Sequence, residues 1–538
     1  MFYKSVMNTA ISIVAYLVVA SACLGAEPLA NEGKRGLYVR SIEQVLRTEP
    51  DEIDIGTAAL IVSEQWSNIV AGRRYQARLD EMALEIRSRL KEKKIGINPN
   101  AIAEINNYLF DELKFSAANV ADDPEDLFLH SVMDRRRGYC LSLSILYLAI
   151  GERLGLPLYG VVVPGHFFVR YDNGKVRFNI EATAKGASPT DQYYIEKFNV
   201  PQDTAHGIYM TNLNKLQSLG CLFNNFGNVY RDIGDVNQAM EALELAVWIN
   251  PWLGESRTNL GNIYLAKERV DDAIAQYQGA LKINSDDAKS QCNLGSAFLK
   301  KGWLNDAVCQ YSQGIRLDPN LPDAHRGLAI AYSEQKQHGQ AKSTLMHAIT
   351  LWPNDASLYC TLGDVFSRAG QYDEAIPQYQ RALKLKGDMA QAYYGLGICY
   401  GKLTQTDDEI EAYKKAVSLK PDLVDALANI GDAYFRQGKY DASITYYRKV
   451  IETRPNEGII YYNIGSAFMN KEDYNQAATA YSKAIELEPN MGDAHCRLGY
   501  AYYQLKKYDL ALQHVKKAQD LGTEVDKQIL KAIQSKVK

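Results

Sequence analysis

The sequence predicts an α+β domain in the N-terminal half, followed by an all-α solenoid of nine helical repeats and a capping helix. A small residue recurs every 34 positions in the C-terminal half, whereas residues 126–183 change from helical patterning to short β-branched segments. A chain of 538 residues is also too long for one core. We therefore divide it into a signal peptide (1–26), a linker (27–49), the α+β domain (50–205), a connecting helix (206–219), the repeats (220–525) and the capping helix (526–538).

The repeats are defined by three positions that recur with a period of 34 residues. The first position holds Gly227, Gly261, Gly295, Ala329, Gly363, Gly397, Gly431, Gly465 and Gly499. An aromatic residue follows three positions later, at Tyr230, Tyr264, Phe298, Tyr332, Phe366, Tyr400, Tyr434, Phe468 and Tyr502. Twelve positions after the first comes a small residue in every repeat except the one that carries Glu409. Small residues let two helices approach closely, and proline residues end six of the repeats because proline lacks the N–H that a helix needs.

This pattern resembles the tetratricopeptide repeat, and the likeness covers all nine units. The resemblance implies a superhelix with a concave groove that binds an extended peptide or a helix of a partner protein. After the last repeat, Val525, Ile529, Ile533 and Val537 lie at helical spacing between lysines. They predict the capping helix that covers the last apolar face of a solenoid.

Asparagines stand two residues before the first repeat position in five of the repeats: Asn225, Asn259, Asn293, Asn429 and Asn463. In related arrays, such as that of O-linked N-acetylglucosamine transferase, asparagines at this position line the groove and hold peptide backbone. A side-chain amide can do so because it offers both a donor and an acceptor. The alternative is that asparagine is only a common consensus residue here. The row is interrupted at Gly327, Thr361 and Gly395.

The first 26 residues are typical of an export signal. Lys4 precedes an apolar core at residues 10–20, and small residues follow it. We therefore expect an exported protein of the periplasm or cell envelope. Two alternatives involve membrane attachment, namely an uncleaved anchor and a lipid anchor at Cys23.

The net charge of −4 and the single basic run Arg135–Arg137 give no basic surface for nucleic acid. The eight cysteines are scattered, and we expect no disulfide framework among them. No metal site is expected in the α+β domain, because its one Cys, one His and one Glu lack the closely spaced ligand pairs of zinc sites. No cofactor is expected either.

The candidate chemistry begins with Cys140, which opens a predicted buried helix. The helix is expected to end at Leu154, because Gly155 is a favourable C-terminal cap and Pro157 cannot continue the helix. The free N–H groups of a first helical turn favour a thiolate, and Arg135–Arg137 are expected to add positive charge nearby.

A β-hairpin is predicted after this helix. Segment 158–163 is apolar and β-branched, and segments 166–171 and 175–183 flank Asn173-Gly174, a strong two-residue turn signal. With this turn Asp172 faces Lys175, and the same register places His166 directly opposite Glu181. Opposed Cβ atoms lie about 4.5–5.5 Å apart, so the turn predicts a His–carboxylate pair.

A helix-start Cys, a strand His and an acid on the next strand form the arrangement of a thiol nucleophile, its base and the residue that orients the base. Residues 50–200 resemble the bacterial transglutaminase-like fold, a papain-related scaffold, chiefly in RRRGYCLSLSILY, RLGLPLYGVVVPGHFFVRYD and FNIEAT. By this resemblance Cys140 is the nucleophile, His166 the general base and Glu181 the third member. Many transglutaminases carry Asp in that last position. Asn179 is a second candidate for the third member, and His130 an alternative base.

Two functions follow from this sequence. The first is an exported cysteine enzyme that acts as a protease, amidase or acyl transferase on protein substrates bound by the repeats. The second is a non-enzymatic scaffold of the cell envelope, in which the transglutaminase-like domain is degenerate.

Overall fold

The structure is a computed structural model that describes residues 29–67, 72–118, 123–201 and 208–537. The chain divides into two compact units, Met1–Trp303 and Leu304–Lys538. The first unit contains the α+β domain and the first repeat helices, and the second contains the later repeats. The expected signal peptide and Cys23 lie outside the described residues. Within the described ranges, no helix is both long and apolar enough to cross a membrane.

The α+β domain surrounds one central helix. Its α-helices in the described ranges are α1 (Ile42–Leu46), α2 (Ile55–Ser67), α3 (Gly72–Glu92), α4 (Ala101–Asn106), α5 (Leu129–Arg135), α6 (Cys140–Leu154) and α7 (Asp191–Lys197). Its strands are β1 (Ser116–Ala117), β2 (Arg137–Gly138), β3 (Leu158–Val163), β4 (His166–Asp172) and β5 (Arg177–Ile180). Short non-α turns lie at Arg35–Tyr38, Asn107–Glu112, Pro124–Leu127 and Ala182–Ala184.

Helix α6 is the central element, and nearly all of its side chains are buried. It packs against α2, α3, β3 and β4. It begins at Cys140 and ends at Leu154, and Gly155 adopts the left-handed conformation with φ 77°. These bounds confirm the prediction from Gly155 and Pro157, because a glycine cap and a following proline are local signals that tertiary contacts rarely override.

The sheet has the antiparallel order β3-β4-β5, but the predicted two-residue turn between β4 and β5 is wrong. Asp172 pairs with Arg177 rather than with Lys175. The turn is longer because the Asn173 side-chain oxygen accepts hydrogen bonds from the N–H groups of both Lys175 and Val176. His166 is therefore not directly opposite Glu181. The two residues keep the same face of the sheet, since a shift of two residues preserves the alternation of side chains.

Two predicted connections are folded parts of the first unit. Leu29, Ile42 and Val45 are buried, and Asn31 donates a hydrogen bond of 2.9 Å to buried Asp54, so the described part of the expected linker packs on the domain. The expected connecting helix is not separate either. Its described helical part, from Lys215 onward, continues without a break to Asp232 as the first repeat helix.

The repeat helices alternate with short turns from residue 215 to residue 520. In the first unit they are α8 (Lys215–Asp232), α9 (Val236–Ile249), α10 (Gly254–Ala266), α11 (Val270–Ile283) and α12 (Ala288–Lys301). In the second unit they are α13 (Leu304–Leu317), α14 (Pro322–Glu334), α15 (His338–Leu351), α16 (Ala356–Arg368), α17 (Tyr372–Leu385), α18 (Ala390–Lys402), α19 (Thr406–Leu419), α20 (Val424–Arg436), α21 (Tyr440–Thr453), α22 (Gly458–Asn470), α23 (Tyr474–Leu487), α24 (Gly492–Gln504) and α25 (Tyr508–Asp520). The capping helix is α26 (Lys527–Lys536), which buries Ile533.

Five of the repeat glycines leave room for a tyrosine ring of the following helix, whereas Gly227 lies against Leu243 and Gly499 against Val515. A Cβ atom added at Gly261 would come within 2.6 Å of the Tyr277 ring, and one at Gly431 within 2.6 Å of the Tyr447 ring. Glu409, the exception to the small residue, is buried, forms an ion pair with Arg436 and lies against Gly401. The absence of a side chain at Gly401 and the charge of Arg436 together accommodate this carboxylate.

Candidate functional site

Cys140 is the first residue of α6, and a short parallel ladder holds the segment that leads to it. In this ladder Ser116 pairs with Arg137 and Ala117 with Gly138. The Tyr139 N–H then donates to the Ser142 hydroxyl at 2.9 Å, which closes the first helical turn. The Cys140 thiol is free and half-buried, so it is accessible from solvent at the positive end of the helix.

His166 and Glu181 meet on the face of the sheet that the sequence predicts. The His166 Nε2 atom lies 2.7 Å from the Glu181 Oε2 atom. Their side chains are only 14% and 9% exposed, so the pair is shielded from water while the ring still has an open edge. The Cys140 thiol is a hydrogen-bonding neighbour of the same imidazole. Because Glu181 engages Nε2, Nδ1 is the ring nitrogen available to the thiol.

Glu181 is itself held by two hydroxyl groups and one backbone N–H. The Tyr194 hydroxyl donates to Oε2 at 2.9 Å, and the Thr183 N–H donates to Oε1 at 3.1 Å. The Thr183 hydroxyl donates to Oε1 as well. These contacts fix the carboxylate, which is the role of residues that support a catalytic orienting group.

Aromatic rings hold the imidazole from the side. The Phe198 ring stacks on the His166 ring with centroids 4.8 Å apart and planes within 3° of each other. Tyr194 stacks in turn on Phe168 at 3.8 Å. Sequence reasoning missed Thr183, Tyr194 and Phe198. The i, i+4 spacing of Tyr194 and Phe198 was their only signal, and such pairs are common in any amphipathic helix.

The surroundings of His166 favour its protonated form. Burial lowers the pKa of the imidazole, but the hydrogen bonds to Cys140 and Glu181 outweigh burial and raise the pKa of His166 to about 9. Burial raises the pKa of the Glu181 carboxyl, whereas His166, Thr183 and Tyr194 lower it, and the net pKa is below its ordinary value. At neutral pH the pair is therefore an imidazolium and a carboxylate.

The two alternative residues have other contacts. The Asn179 side chain accepts from Arg170 Nε at 2.8 Å and donates to Asp191 at 2.7 Å, so its amide belongs to a buried network beside β5. His130 is buried between the rings of Tyr75 and Phe128, and burial lowers the pKa of its imidazole. The described contacts of neither residue include Cys140.

Two of the three arginines before Cys140 are paired with acids, so the run contributes less positive charge than we expected. Arg135 forms ion pairs with Asp123 and Asp126, and Arg137 reaches Asp126 at 2.7 Å. Asp126 is fully buried. The carboxylates of Asp123 and Asp126 offset the charges of the two guanidinium groups. No group of three or more Cys, His, Asp or Glu side chains converges as a metal site within the described residues.

The repeat asparagines are half-buried, and three of them donate hydrogen bonds to side chains outside this set. Asn259 Nδ2 donates to Asn224 Oδ1 at 3.2 Å, and Asn293 Nδ2 donates to Asn262 Oδ1 at 2.9 Å. Asn429 Nδ2 donates to the Tyr413 hydroxyl at 3.2 Å. In the second unit, Asn463 lines a cavity of about 380 Å³ together with Arg436 and Arg497. Asn225 is half-buried on α8.

Comparison with known protein families supports the assignment of both the α+β domain and the repeats. A profile of the transglutaminase-like superfamily matches residues 73–201. Tetratricopeptide repeat profiles match segments from residue 222 to residue 521. The chain is a transglutaminase-like domain followed by a tetratricopeptide repeat array. Both resemblances drawn from the sequence are thus confirmed, and the repeats support a role in binding proteins or peptides.

Curated relatives share only part of this chain. The UPF0162 protein of Xylella fastidiosa is 34% identical over 117 residues, which are 22% of this chain and 41% of that protein. F-box only protein 21 of Mus musculus is 35% identical over 109 residues, which are 20% of this chain and 16% of that protein. The chain thus spans less than half the length of these relatives.

Solved structures similar to this chain are repeat proteins that cover about a third of it. MamA is 27% identical, with 30% of this chain and 94% of that chain covered and a TM-score of 0.29. A thermophilic TPR protein of Thermus thermophilus is 24% identical, with 34% and 99% covered and a TM-score of 0.32. YrrB, described as a TPR protein with an unusual peptide-binding site, is 24% identical, with 35% and 97% covered and a TM-score of 0.28.

Proposed function

We propose that the protein is an exported cysteine enzyme that cleaves or transfers an acyl group of a protein substrate bound by its repeats. The observation that carries this proposal is the contact of one imidazole with both a helix-start thiol and a buried carboxylate, with 2.7 Å between His166 Nε2 and Glu181 Oε2. A nucleophile, a base and a residue that orients the base are the parts that thiol acyl transfer requires.

In the proposed first step, the Cys140 thiolate attacks a substrate carbonyl carbon. A C–S bond forms and the carbonyl π electrons move to oxygen. The tetrahedral oxyanion then collapses, the C–N bond breaks, and the His166 imidazolium gives its proton to the leaving amine. The proton is available at neutral pH because the pKa of His166 is raised to about 9, so the ring is in its imidazolium form.

In the second step, the neutral imidazole accepts a proton from water or from an acceptor amine. That nucleophile attacks the thioester carbon, the C–S bond breaks, and the thiolate returns. Water gives a protease or amidase, and an amine gives an acyl transferase. The Cys140 N–H, in the first turn of α6 where N–H groups have no intrahelical acceptor, is the proposed donor to the oxyanion.

The repeats provide the protein-binding part of this function. Asn225, Asn259 and Asn293 in the first unit, with Asn429 and Asn463 in the second, are the proposed contacts to peptide backbone. Export to the periplasm or cell envelope, or attachment through Cys23, is proposed from the N-terminal sequence alone.

The test compares two thiols of one chain. Cys309 is an exposed free cysteine on α13 and serves as an internal reference. We expect iodoacetamide to alkylate Cys140 at least tenfold faster than Cys309 at pH 7, as measured by peptide mass spectrometry of the native protein. His166→Ala should bring the two rates close together, while near-ultraviolet circular dichroism shows that the variant remains folded.

If Cys140 of the wild-type chain reacts no faster than Cys309, the enzymatic proposal fails. The second function, a non-enzymatic scaffold, is then favoured. It has its own support in the structure, since the repeat region, from residue 215 to residue 520, makes up more than half of the chain.

A further inference from the structure

One side chain of the second repeat reaches the turn that carries the candidate base. Glu255 lies in the first turn of α10. Its Oε1 atom accepts a hydrogen bond from the Gly165 N–H at 3.2 Å and one from the Tyr209 hydroxyl at 3.3 Å. Gly165 is the residue immediately before His166.

Gly165 has no side chain that could hold the turn through contacts of its own. Gly165 has a left-handed φ of 69°, and no atom lies within 4 Å of the position that a Cβ atom would occupy there. Val163 pairs with His166 across this turn, so the turn sets where β4 begins and in which direction the imidazole projects from the sheet. The Glu255 carboxyl group therefore adds a contact from outside the hairpin to the strand pairing that closes the turn.

Tyr209 makes this contact part of a larger assembly. The chain from Tyr209 to Leu213 runs along the free edge of β3, where Met210 N–H donates to Val162 O at 3.1 Å and Leu213 N–H donates to Gly160 O at 2.9 Å. The same edge leads directly into α8. The edge of the sheet, the Gly165 turn and the second repeat thus meet at one carboxyl group.

The groups around Glu255 come from three elements. Tyr209 faces it from the sheet edge, Cys221 from α8, and Asp287 and Lys289 from the start of α12. Burial raises the pKa of Glu255, whereas the contacts to Gly165, Tyr209 and Lys289 act in the opposite direction. Oε1 can accept a hydrogen bond from Gly165 in either protonation state, so an amide oxygen can replace it.

We propose that Glu255 is a positioning residue through which the second repeat holds His166 in place beside Cys140 and Glu181. This inference rests on the proposed function. It means that the repeats are part of the catalytic unit.

The experiment uses the full chain with Glu255→Ala, Glu255→Gln and a matched control, Glu244→Ala. Glu244 is on α9, and its Oε1 accepts from the Tyr264 hydroxyl at 2.8 Å, so the control removes a similar carboxylate–tyrosine contact away from the turn. Two quantities are measured: the ratio of Cys140 to Cys309 alkylation rates from pH 5 to pH 10, and the pKa of the His166 ring by NMR of histidine-labelled protein.

We expect Glu255→Ala to lower the alkylation ratio about fivefold to tenfold and to move the pKa of His166 from about 9 toward its ordinary value of 6.5. Glu255→Gln should keep most of the wild-type ratio because it retains an acceptor for Gly165. Glu244→Ala should leave both quantities unchanged. If Glu255→Ala fails to fold, Tyr209→Phe is used, with an expected twofold to threefold loss.

Unchanged values in a folded Glu255→Ala protein whose wild type shows His166-dependent alkylation overturn this inference and leave the proposed function standing. Equal losses in Glu255→Ala and Glu244→Ala also overturn it, because they indicate general destabilisation. If wild-type alkylation does not depend on His166, the proposed function fails. The positioning claim is then decided by the pKa of His166 alone.

Discussion

The transglutaminase-like domain and the later repeats hold their structures together by different means. In the domain, Arg153 and Asp54 are both fully buried and pair with each other across 99 positions of sequence. In the second unit, the ion pair Arg368–Glu334 lies at the surface between neighbouring repeats. The domain adds buried, long-range polar contacts to its apolar core, whereas each repeat depends chiefly on apolar contacts to its neighbours. A single substitution should therefore have unequal consequences in the two regions.

The largest expected effect comes from breaking the buried ion pair. Arg153→Met leaves Asp54 buried without its cation, and we expect a loss of about 3–5 kcal/mol in the unfolding free energy. Arg368→Met removes an exposed pair and should cost at most about 1 kcal/mol. Urea unfolding of both variants measures the two losses, and similar losses would contradict the contrast between the regions.

A smaller effect is expected from filling a repeat position. Gly431→Ala forces a methyl group against the Tyr447 ring, and overpacking of this kind costs about 1–3 kcal/mol. The matched control is Gly339→Ala on α15, where no atom lies within 4 Å of the added Cβ. Alanine should stabilise that helix by about 0.5 kcal/mol, because it has the higher helix propensity. Thermal unfolding measures the melting temperature of both variants. An equal decrease in the two would show that the contact with the Tyr447 ring does not cause the loss of stability.

The His166–Glu181 pair should give the domain a pH-dependent stability of about 1–2 kcal/mol. The pKa of His166 is about 9 in the folded protein, whereas an unperturbed histidine has a pKa of 6.5, so folding favours the protonated ring. The contribution is therefore complete below pH 6.5 and is lost as the pH rises through about 9. The difference in unfolding free energy between wild type and His166→Gln should be larger at pH 6 than at pH 10. The proposed sign is incorrect if the difference grows with pH.

The smallest expected effect on folding concerns the repeat asparagines. Asn259→Ala combined with Asn293→Ala removes two side-chain hydrogen bonds, so it should cost about 1 kcal/mol or less of stability. If these amides hold peptide backbone, affinity for a partner identified by crosslinking should fall about tenfold in calorimetry. Unchanged affinity would mean that asparagine is only a consensus residue at these positions.

The elements that sequence reasoning predicted well are those with local signals. The bounds of α6 and the position of β3 follow from residues within a few positions of one another, and the repeat helices follow from a local pattern that recurs every 34 residues. The shared face of His166 and Glu181 was also predictable, although the predicted register was wrong. The predicted and observed registers differ by two residues, and a shift of two residues leaves side chains on the same face of the sheet.

The contacts that decide the candidate site are between residues far apart in sequence. Asn179 had the correct spacing for a third member, yet it pairs with Arg170 and Asp191. The basic run had the correct place, yet Arg135 and Arg137 pair with Asp123 and buried Asp126. Periodicity carries no information on which of several polar side chains will share a buried position.

The sequence by itself therefore determined the two domain types, the helix that begins at Cys140 and the side of the sheet on which His166 and Glu181 lie. The tertiary structure decided the register of the hairpin, the hydroxyl groups that hold Glu181 and the contact of Glu255 with the Gly165 turn. The physical reason is the distance along the sequence over which each kind of contact acts. Caps, turns and helical spacing act within one element, whereas the partner of a buried polar group is set only when separate elements pack together.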